Sequence, residues 1–386
     1  MKFLQKKQKP DFEELVSVLA GKKITGDVLY AELLIDEEIK KVLLEDFLND
    51  EYFPPPVFSW GEKKVDLMNF NEKKNYYKKY YEKTINFYYR MGYSMVTDMM
   101  FINNFESLNP FKIRSEDTAI LSKGERCWAV EGTGMIKTWG DLEKFPWKIY
   151  EKFIEEYINI LDMLEKMLPD GMKIGISATF YEEPLEWIFG YENLFYLMFD
   201  NQELVSEVYS RVGKIIYDFY KAAISHQAVG CIFHADDLGY KSGTMISVKD
   251  LNSLIFPWFK KFAALAHDCN KPFFLHSCGK KDEIMDILID DIGIDAIHSF
   301  EDESYPVIKY KEIWSEKVGI MGGVDIDKLV RYDEDDLRLY IRTILDSCMP
   351  QGRYICGTGN SVTNYVPVKN YLILLEECVN WKEKNF

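Results

Sequence analysis

The chain of 386 residues has no apolar run that approaches the ~20 residues of a membrane helix, so no membrane partner is expected. It also lacks a surplus of positive charge: 47 Lys+Arg stand against 63 Asp+Glu, a net charge of −16. A surface of that sign repels phosphate backbones, which argues against nucleic acid as a partner. There is no low-complexity linker and no internal repeat, so a solenoid or fibrous array is excluded. The seven cysteines (Cys127, Cys231, Cys269, Cys278, Cys348, Cys356, Cys378) are odd in number and lack framework spacing. A disulfide scaffold is therefore not expected, and a reducing cytoplasm is. The opening stretch MKFLQKKQKPDFEE is basic but carries no apolar h-region, so no secretory signal is expected either.

What is present is a recurring unit: a short β-rich run followed by an amphipathic stretch. Eight such runs stand out, at 28–35, 93–100, 173–180, 230–238, 272–279, 295–300, 317–323 and 352–359. Between them, 200–228, 251–270, 280–292, 335–348 and 366–381 carry apolar residues at helical spacing. Near-continuous apolar strands alternating with helices imply a parallel sheet covered by helices. At roughly 150 residues per domain the length suggests two or three domains. Eight units favour instead a single (β/α)8 TIM barrel over residues 1–386, since such barrels reach about 400 residues when loops carry insertions. No Gly-rich phosphate fingerprint follows the first strand, which weighs against an open dinucleotide-binding sheet. The surplus lies early, at 36–92 and 101–171, and is expected to cap one mouth of the barrel. The second insertion reads as a hairpin over 126–139 and then a helix. The tyrosine-rich run at 76–89 reads as an amphipathic helix.

In barrels of this kind, chemistry sits at the C-terminal strand ends. The residues there are Glu32, Asp98, His234, Asp236, Asp237, His276, Cys278, His298, Glu301, Asp325 and Cys356. On an extended chain, residues two apart share a side, so His276 and Cys278 can grip one ion. With Cys356 from the eighth strand they would form an N/S set suited to Zn²⁺ with one position open. The alternative is two small core thiols and a hydrogen-bonded core histidine, and spacing leaves both open. Asp236 and Asp237 are adjacent carboxylates that could handle a proton or orient a ligand, though only one can face inward. Glu32 stands in the apolar run AELLI, where a carboxylate is either paired or functional. Gly322 and Gly323 are turn glycines that would let the backbone approach a ligand. His226 and His267, on predicted helices, read as surface or packing residues.

The segments FLHSCG (274–279), HADDLG (234–239), GGVD (322–325) and ICGTGNSVTNYVP (355–367) make the chain resemble the uroporphyrinogen decarboxylase superfamily. Within it, the similarity is to the zinc-dependent corrinoid methyltransferases, clearest from about residue 170 onward. The resemblance implies Zn²⁺ held by His276, Cys278 and Cys356. Catalytic carboxylates are expected among Asp236, Asp237 and Glu32, and ligand contacts around Gly322, Gly323 and Asp325. The resemblance further implies methyl transfer between a small methylated substrate, such as an aryl methyl ether, and a cobalamin cofactor. The corrinoid motif D-x-H-x-x-G is absent, so a separate corrinoid-binding protein would supply the cobalamin. Aromatic residues of the insertions (Trp60, Tyr76, Tyr77, Trp128) would suit an apolar donor. The same resemblance leaves three alternatives: a methyl-corrinoid:thiol methyltransferase of the coenzyme M type, a metal-free decarboxylase, and an idle barrel with structural zinc. The decarboxylase branch grips its polyanionic tetrapyrrole through an Arg-bearing N-terminal segment, and the first 80 residues here contain no arginine.

Overall fold

A computed structural model describes residues 9–56, 70–99, 104–122 and 124–385. Seven strands run parallel in one curled sheet: β1 (Met95–Asp98), β4 (Lys173–Ile176), β5 (Val229–Ala235), β6 (Phe273–His276), β7 (Ala296–His298), β8 (Gly319–Met321) and β9 (Tyr354–Ile355). Their order in space is their order in the chain, β2 (Lys112–Glu116) and β3 (Glu125–Ala129) forming a separate antiparallel hairpin. Six of the seven fall inside runs that the sequence marks, and β5 starts one residue before its run at 230–238. The sheet is thus α/β and consistent with a barrel-like fold. The run at 28–35 differs from expectation. Instead of a strand it makes isolated parallel bridges, Tyr30 with Cys356 and Ile35 with Val362. Toward β1, a side-chain bond from Thr97 Oγ1 to the Glu32 carbonyl (3.0 Å) stands where a ladder was expected.

Alternation along the strands divides the apolar residues into two clusters. Phe233, Phe274, Met321 and Ile355 meet inside the curl. Ile232, Leu275, Ile320 and Tyr354 face the surrounding helices. The helix Phe12–Leu19 joins the inner cluster through Phe12, Leu15, Val18 and Leu19. Its backbone is tied to Gly171 and Arg353, just before β4 and β9, so it plugs the N-terminal end of the sheet. The C-terminal strand ends are left for the site.

Four of the five expected helices form, Gln202–Ala223, Phe256–Asp268, Glu334–Cys348 and Val368–Asn385, while 280–292 winds instead as a 3-10 turn (Asp282–Ile284) and a π-helix (Ile287–Ile292). The tyrosine-rich run lies in the helix Phe70–Met91, with Tyr77, Tyr81, Ile85 and Tyr88 buried along one stripe. The hairpin is displaced from its expected place. Glu125–Ala129 pairs backward with Lys112–Glu116 rather than forward. Residues beyond 129 instead dock on another loop, where the N–H groups of Met135 and Ile136 both bond to the Ile188 carbonyl. The partner strand KIRSE is too charged to announce itself as a strand. Trp60 lies outside the described residues. No helix among those described is long and apolar enough to cross a membrane.

Candidate metal centre

Strands β5 and β6 end side by side, and their following loops are pressed together. Gly279 has φ +79°, and a Cβ there would lie 2.0 Å from the Gly239 backbone, so only glycine allows this crossing. The Gly239 N–H donates to the Cys278 carbonyl, and the Leu238 N–H to Ser277 Oγ. Within this crossing, Asp237, His276 and Cys278 point ligand atoms at one spot, all within 4.8 Å of one another. His276 Nε2 lies 3.3 Å from Cys278 Sγ and 3.6 Å from Asp237 Oδ1. Ligands on Zn–N, Zn–O and Zn–S bonds of about 2.0–2.3 Å in a tetrahedron stand roughly 3.3–3.8 Å apart, so the set fits Zn²⁺. Three protein ligands leave the fourth position open.

The tautomer of His276 is also set. His298 pairs with His276 across β6 and β7, and the two rings meet Nδ1 to Nδ1 at 2.7 Å. His298 Nε2 lies 3.2 Å from the Thr358 carbonyl, which can only accept, so that nitrogen carries the hydrogen. Burial pushes the His298 pKa well down, so the ring is neutral and its Nδ1 is bare. His276 must then donate from Nδ1, which leaves the Nε2 lone pair facing the ligand spot. This is the backing that metal-bound histidines require. Gly322 makes room for it: a Cβ there would lie 2.4 Å from the Thr358 carbonyl and 2.9 Å from the His298 ring.

The thiol of Cys278 is pushed well up by burial and by the Asp237 charge, so without a cation it stays protonated. A divalent ion reverses that preference. Asn360 Nδ2 (3.3 Å) and Ser299 Oγ (3.5 Å) stand ready to donate to the sulfur. Ser299 holds φ +88°, strain of a kind that gathers at functional sites. Burial works against the Asp237 carboxylate, but His276 and the Cys278 N–H (3.0 Å) more than offset it and hold its pKa below the usual range. Lys281 is buried three residues on, over the Tyr305 ring at 4.2 Å, and burial lowers it to about 8.

Of the expected zinc ligands, the structure joins His276 and Cys278 and does not bring Cys356 to them. Tyr354 and Cys356 share the outer parity of β9, so Cys356 packs in the helix-facing cluster with its thiol against that of Cys378. The third ligand atom comes instead from Asp237, on the inner parity of β5. Asp236 faces outward, as alternation requires, and does not reach the spot. It is fully buried and accepts the N–H groups of Phe180 (3.1 Å), Tyr181 (2.7 Å) and Glu182 (2.8 Å), with His234 Nε2 at 3.2 Å. Its work is to pin the loop after β4.

Glu32 is buried among Tyr93, Tyr371 and Thr358 and is not a member of the ligand group, and burial raises its pKa to about 8. Geometry agrees that it is protonated. Thr358 Oγ1 contacts both Glu32 and the Asn360 carbonyl. Its one hydrogen serves the carbonyl, so the Glu32 contact needs a proton of its own. Asp325 caps the helix Ile326–Arg331 and accepts the Asp302 N–H at 2.8 Å. Gly323, at φ +116°, abuts Val307. Gly322, Gly323 and Asp325 thus have structural employment where they stand. His267 pairs with Asp295 at 2.9 Å and His226 with Asp162 at 3.2 Å.

A cleft of about 750 Å³ opens beside β1, lined among others by Tyr81, Asp98, Glu106, Arg126, Trp128 and Asn364. Arg126, held within the hairpin by Asp117 (3.0 Å), ties it to the loop after β9 through Asn364 (2.8 Å). Asp98 is occupied by the hydroxyls of Tyr81 and Tyr157, each at 2.8 Å. Tyr76 donates toward the Pro54 carbonyl, and Tyr77 is core.

The curled parallel sheet, with a three-residue N/O/S spot at its C-terminal edge, defines an α/β protein, consistent with a barrel-like fold, that carries a candidate metal centre. The chain belongs to the uroporphyrinogen decarboxylase family. The family model described as uroporphyrinogen decarboxylase (URO-D) matches residues 188–381, just over half of the chain, and that span includes Asp237, His276, Cys278 and His298. Among solved structures, a methyltransferase from Methanosarcina mazei aligns with a TM-score of 0.63 at 13% identity, over 95% of this chain and 97% of that one. A Listeria monocytogenes protein described as a vitamin-B12-independent methionine synthase aligns with a TM-score of 0.50 at 12% identity, over 94% and 97%. At these identities the likeness is one of fold. No curated protein matches the chain.

Proposed function

We propose that the protein is a zinc-dependent methyltransferase, moving a methyl group between a small methylated substrate and the cobalamin of a separate corrinoid protein in the cytoplasm. The observation that carries this reading is the Asp237–His276–Cys278 triad with the His276 Nε2 lone pair bared by His298. A structural zinc wants a fourth protein ligand. Glu32, Asp236 and Glu301, the candidates for it, are not members of the ligand group. The family's decarboxylase chemistry fits poorly, because a carboxylate-rich strand-end region opposes a polyanionic substrate.

Zn²⁺, when bound, supplies Lewis acidity at the open position, polarising the heteroatom that carries the methyl group. The chain's residues do the rest. Asp237, His276 and Cys278 hold the ion; His298 and Thr358 keep His276 in the ligating tautomer. Asn360 and Ser299 donate to the Cys278 sulfur and moderate its charge. In the transfer, the donor heteroatom keeps the electron pair of the broken C–heteroatom bond. Cobalamin, held by the separate corrinoid protein, would supply the electron pair of the new bond from its Co(I) state. We read residues 28–35 as the eighth stave of a closed barrel, and the insertions at 36–92 and 101–171 as its cap. The cleft of about 750 Å³ between them, with Trp128 in its lining, supports that reading and would admit an aryl methyl ether.

The test is a methyl-transfer assay with cob(I)alamin against methyl ethers, methylamines and thiols, with zinc content measured on the same protein. A protein that carries zinc yet transfers no methyl group from or to any of them overturns the reading.

A further inference from the structure

Three carboxylates that the metal centre does not use lie on the segment after β4. Glu182, Glu183 and Glu186 fall within one turn of chain, where Pro184–Phe189 winds as a π-helix, a form that marks functional sites. Asp236 fixes this segment through the Glu182 N–H, and Asp236 is the chain neighbour of the ligand Asp237. The charges that act on the three are one another, Asp236, Asp237 and Glu106, and no cation stands among them. Glu106 has Lys112 at 3.9 Å, but no Lys or Arg pairs with Glu182, Glu183 or Glu186 among the described residues.

Like charges gathered without a counter-ion are costly, so burial and then mutual repulsion push all three carboxyls up, Glu186 to about 7, and a cation placed among them would favour the ionised form. Here burial is real: Glu183 is 6% exposed and its Oε2 has no hydrogen-bond partner. The hydroxyl of Tyr181, fully buried on the same segment and electrostatically coupled to Glu182, has none either. Two orphaned oxygens beside a set of unpaired carboxylates mark a place for a missing donor that is positively charged. Glu182 and Glu186 are only partly buried, so the place is reachable from outside. The Tyr191 ring, coupled to Glu186, Glu182 and Asp237, adds an aromatic wall of the kind cations favour.

We infer that Glu182, Glu183 and Glu186 form a pocket beside the metal centre that holds the ammonium group of a small cationic substrate. The inference rests on the methyl-transfer reading and names its substrate class. The ammonium is the handle rather than the reacting centre, because an ammonium nitrogen has no lone pair to offer a metal. The methylated heteroatom sits at the other end of the molecule, toward Asp237, His276 and Cys278. An anionic substrate such as a sulfonate thiol would face the carboxylates and be repelled.

The experiment is isothermal titration calorimetry of the full chain, zinc-loaded, with three probes of similar size: 2-methoxyethylammonium, 2-methoxyethanol and methoxyacetate. The ammonium is expected to bind at least tenfold more tightly than the alcohol, and methoxyacetate not to bind. Glu186→Gln and Glu183→Gln should each weaken the ammonium at least tenfold while leaving the alcohol unchanged. If the buried Glu183→Gln fails to fold by thermal unfolding, the partly exposed Glu186→Gln decides alone. Equal affinity for ammonium and alcohol, or an unchanged Glu186→Gln, overturns the inference. Methyl transfer from 2-methoxyethanol to cob(I)alamin is read separately. Transfer without an ammonium preference sinks this inference alone; an ammonium preference without transfer from any donor sinks the functional reading alone.

Discussion

The Nδ1 atoms of His276 and His298 lie 2.7 Å apart, and through this contact a carbonyl on the loop after β9 sets which nitrogen of His276 faces the ligand spot. Strands β6, β7 and β9 thereby cooperate in one proton arrangement. The His298 ring touches no ligand position itself, so its effect passes through His276.

Replacing His298 should therefore weaken the metal without removing a ligand. His298→Ala is expected to lower zinc affinity about 10–100-fold, the usual cost of losing such a backing group. His276→Ala should abolish stoichiometric zinc. Competition against a chromophoric chelator measures both. Equal affinity in His298→Ala and wild type would break the tautomer argument.

Cys356 gives a sharp contrast with Cys278. Both stand at strand ends, but Cys356 is wholly buried in the outer cluster. Cys356→Ala is expected to keep its zinc and to lose only about 1 kcal/mol of stability, the order of a small core truncation. Cys278→Ala should lose its zinc with little change in thermal midpoint. Metal analysis and thermal unfolding of the two variants separate these outcomes.

The adjacent aspartates divide in the same way. Asp236→Asn keeps an acceptor but turns an amide toward backbone N–H groups, so about 1–3 kcal/mol of stability should go with zinc binding retained. Asp237→Asn should do the reverse, weakening zinc with little loss of stability. Chemical denaturation and zinc titration on both proteins check the pair.

Much of this was legible because it follows from alternation. Near-continuous apolar runs announced the seven strands, and the His-x-Cys spacing placed two ligand atoms on one side. Parity also stated that Asp236 and Asp237 face opposite ways. The same parity on β9 makes Ile355 inner and therefore Cys356 outer. The tautomer of His276 was not legible at all, since it depends on which residue stands across a ladder and where a carbonyl points. The hairpin strand Lys112–Glu116 was hidden by its charge. The acidic segment 182–186 carries no periodic signal, and its importance comes from what fails to pair with it after folding.

Glu32 ties the fold to pH. Its carboxyl is raised by burial to about 8 in the folded chain, against an ordinary value near 4.3 when unfolded. Below the unfolded value both states are protonated and the group is silent. As pH rises from about 4.3, the unfolded state loses its proton while the folded state keeps it, so this group's contribution turns against folding. The penalty grows until about pH 8, where the folded carboxyl also ionises, and is constant beyond. Glu32→Gln mimics the protonated form: its amide can donate to Thr358 Oγ1 and its oxygen can accept the Thr358 N–H. The variant should match wild type at about pH 4 and exceed it in thermal midpoint at pH 8, flattening the decline between. A wild-type midpoint that rises steadily over that range, with the variant parallel to it, would show that Glu32 is ionised in the fold.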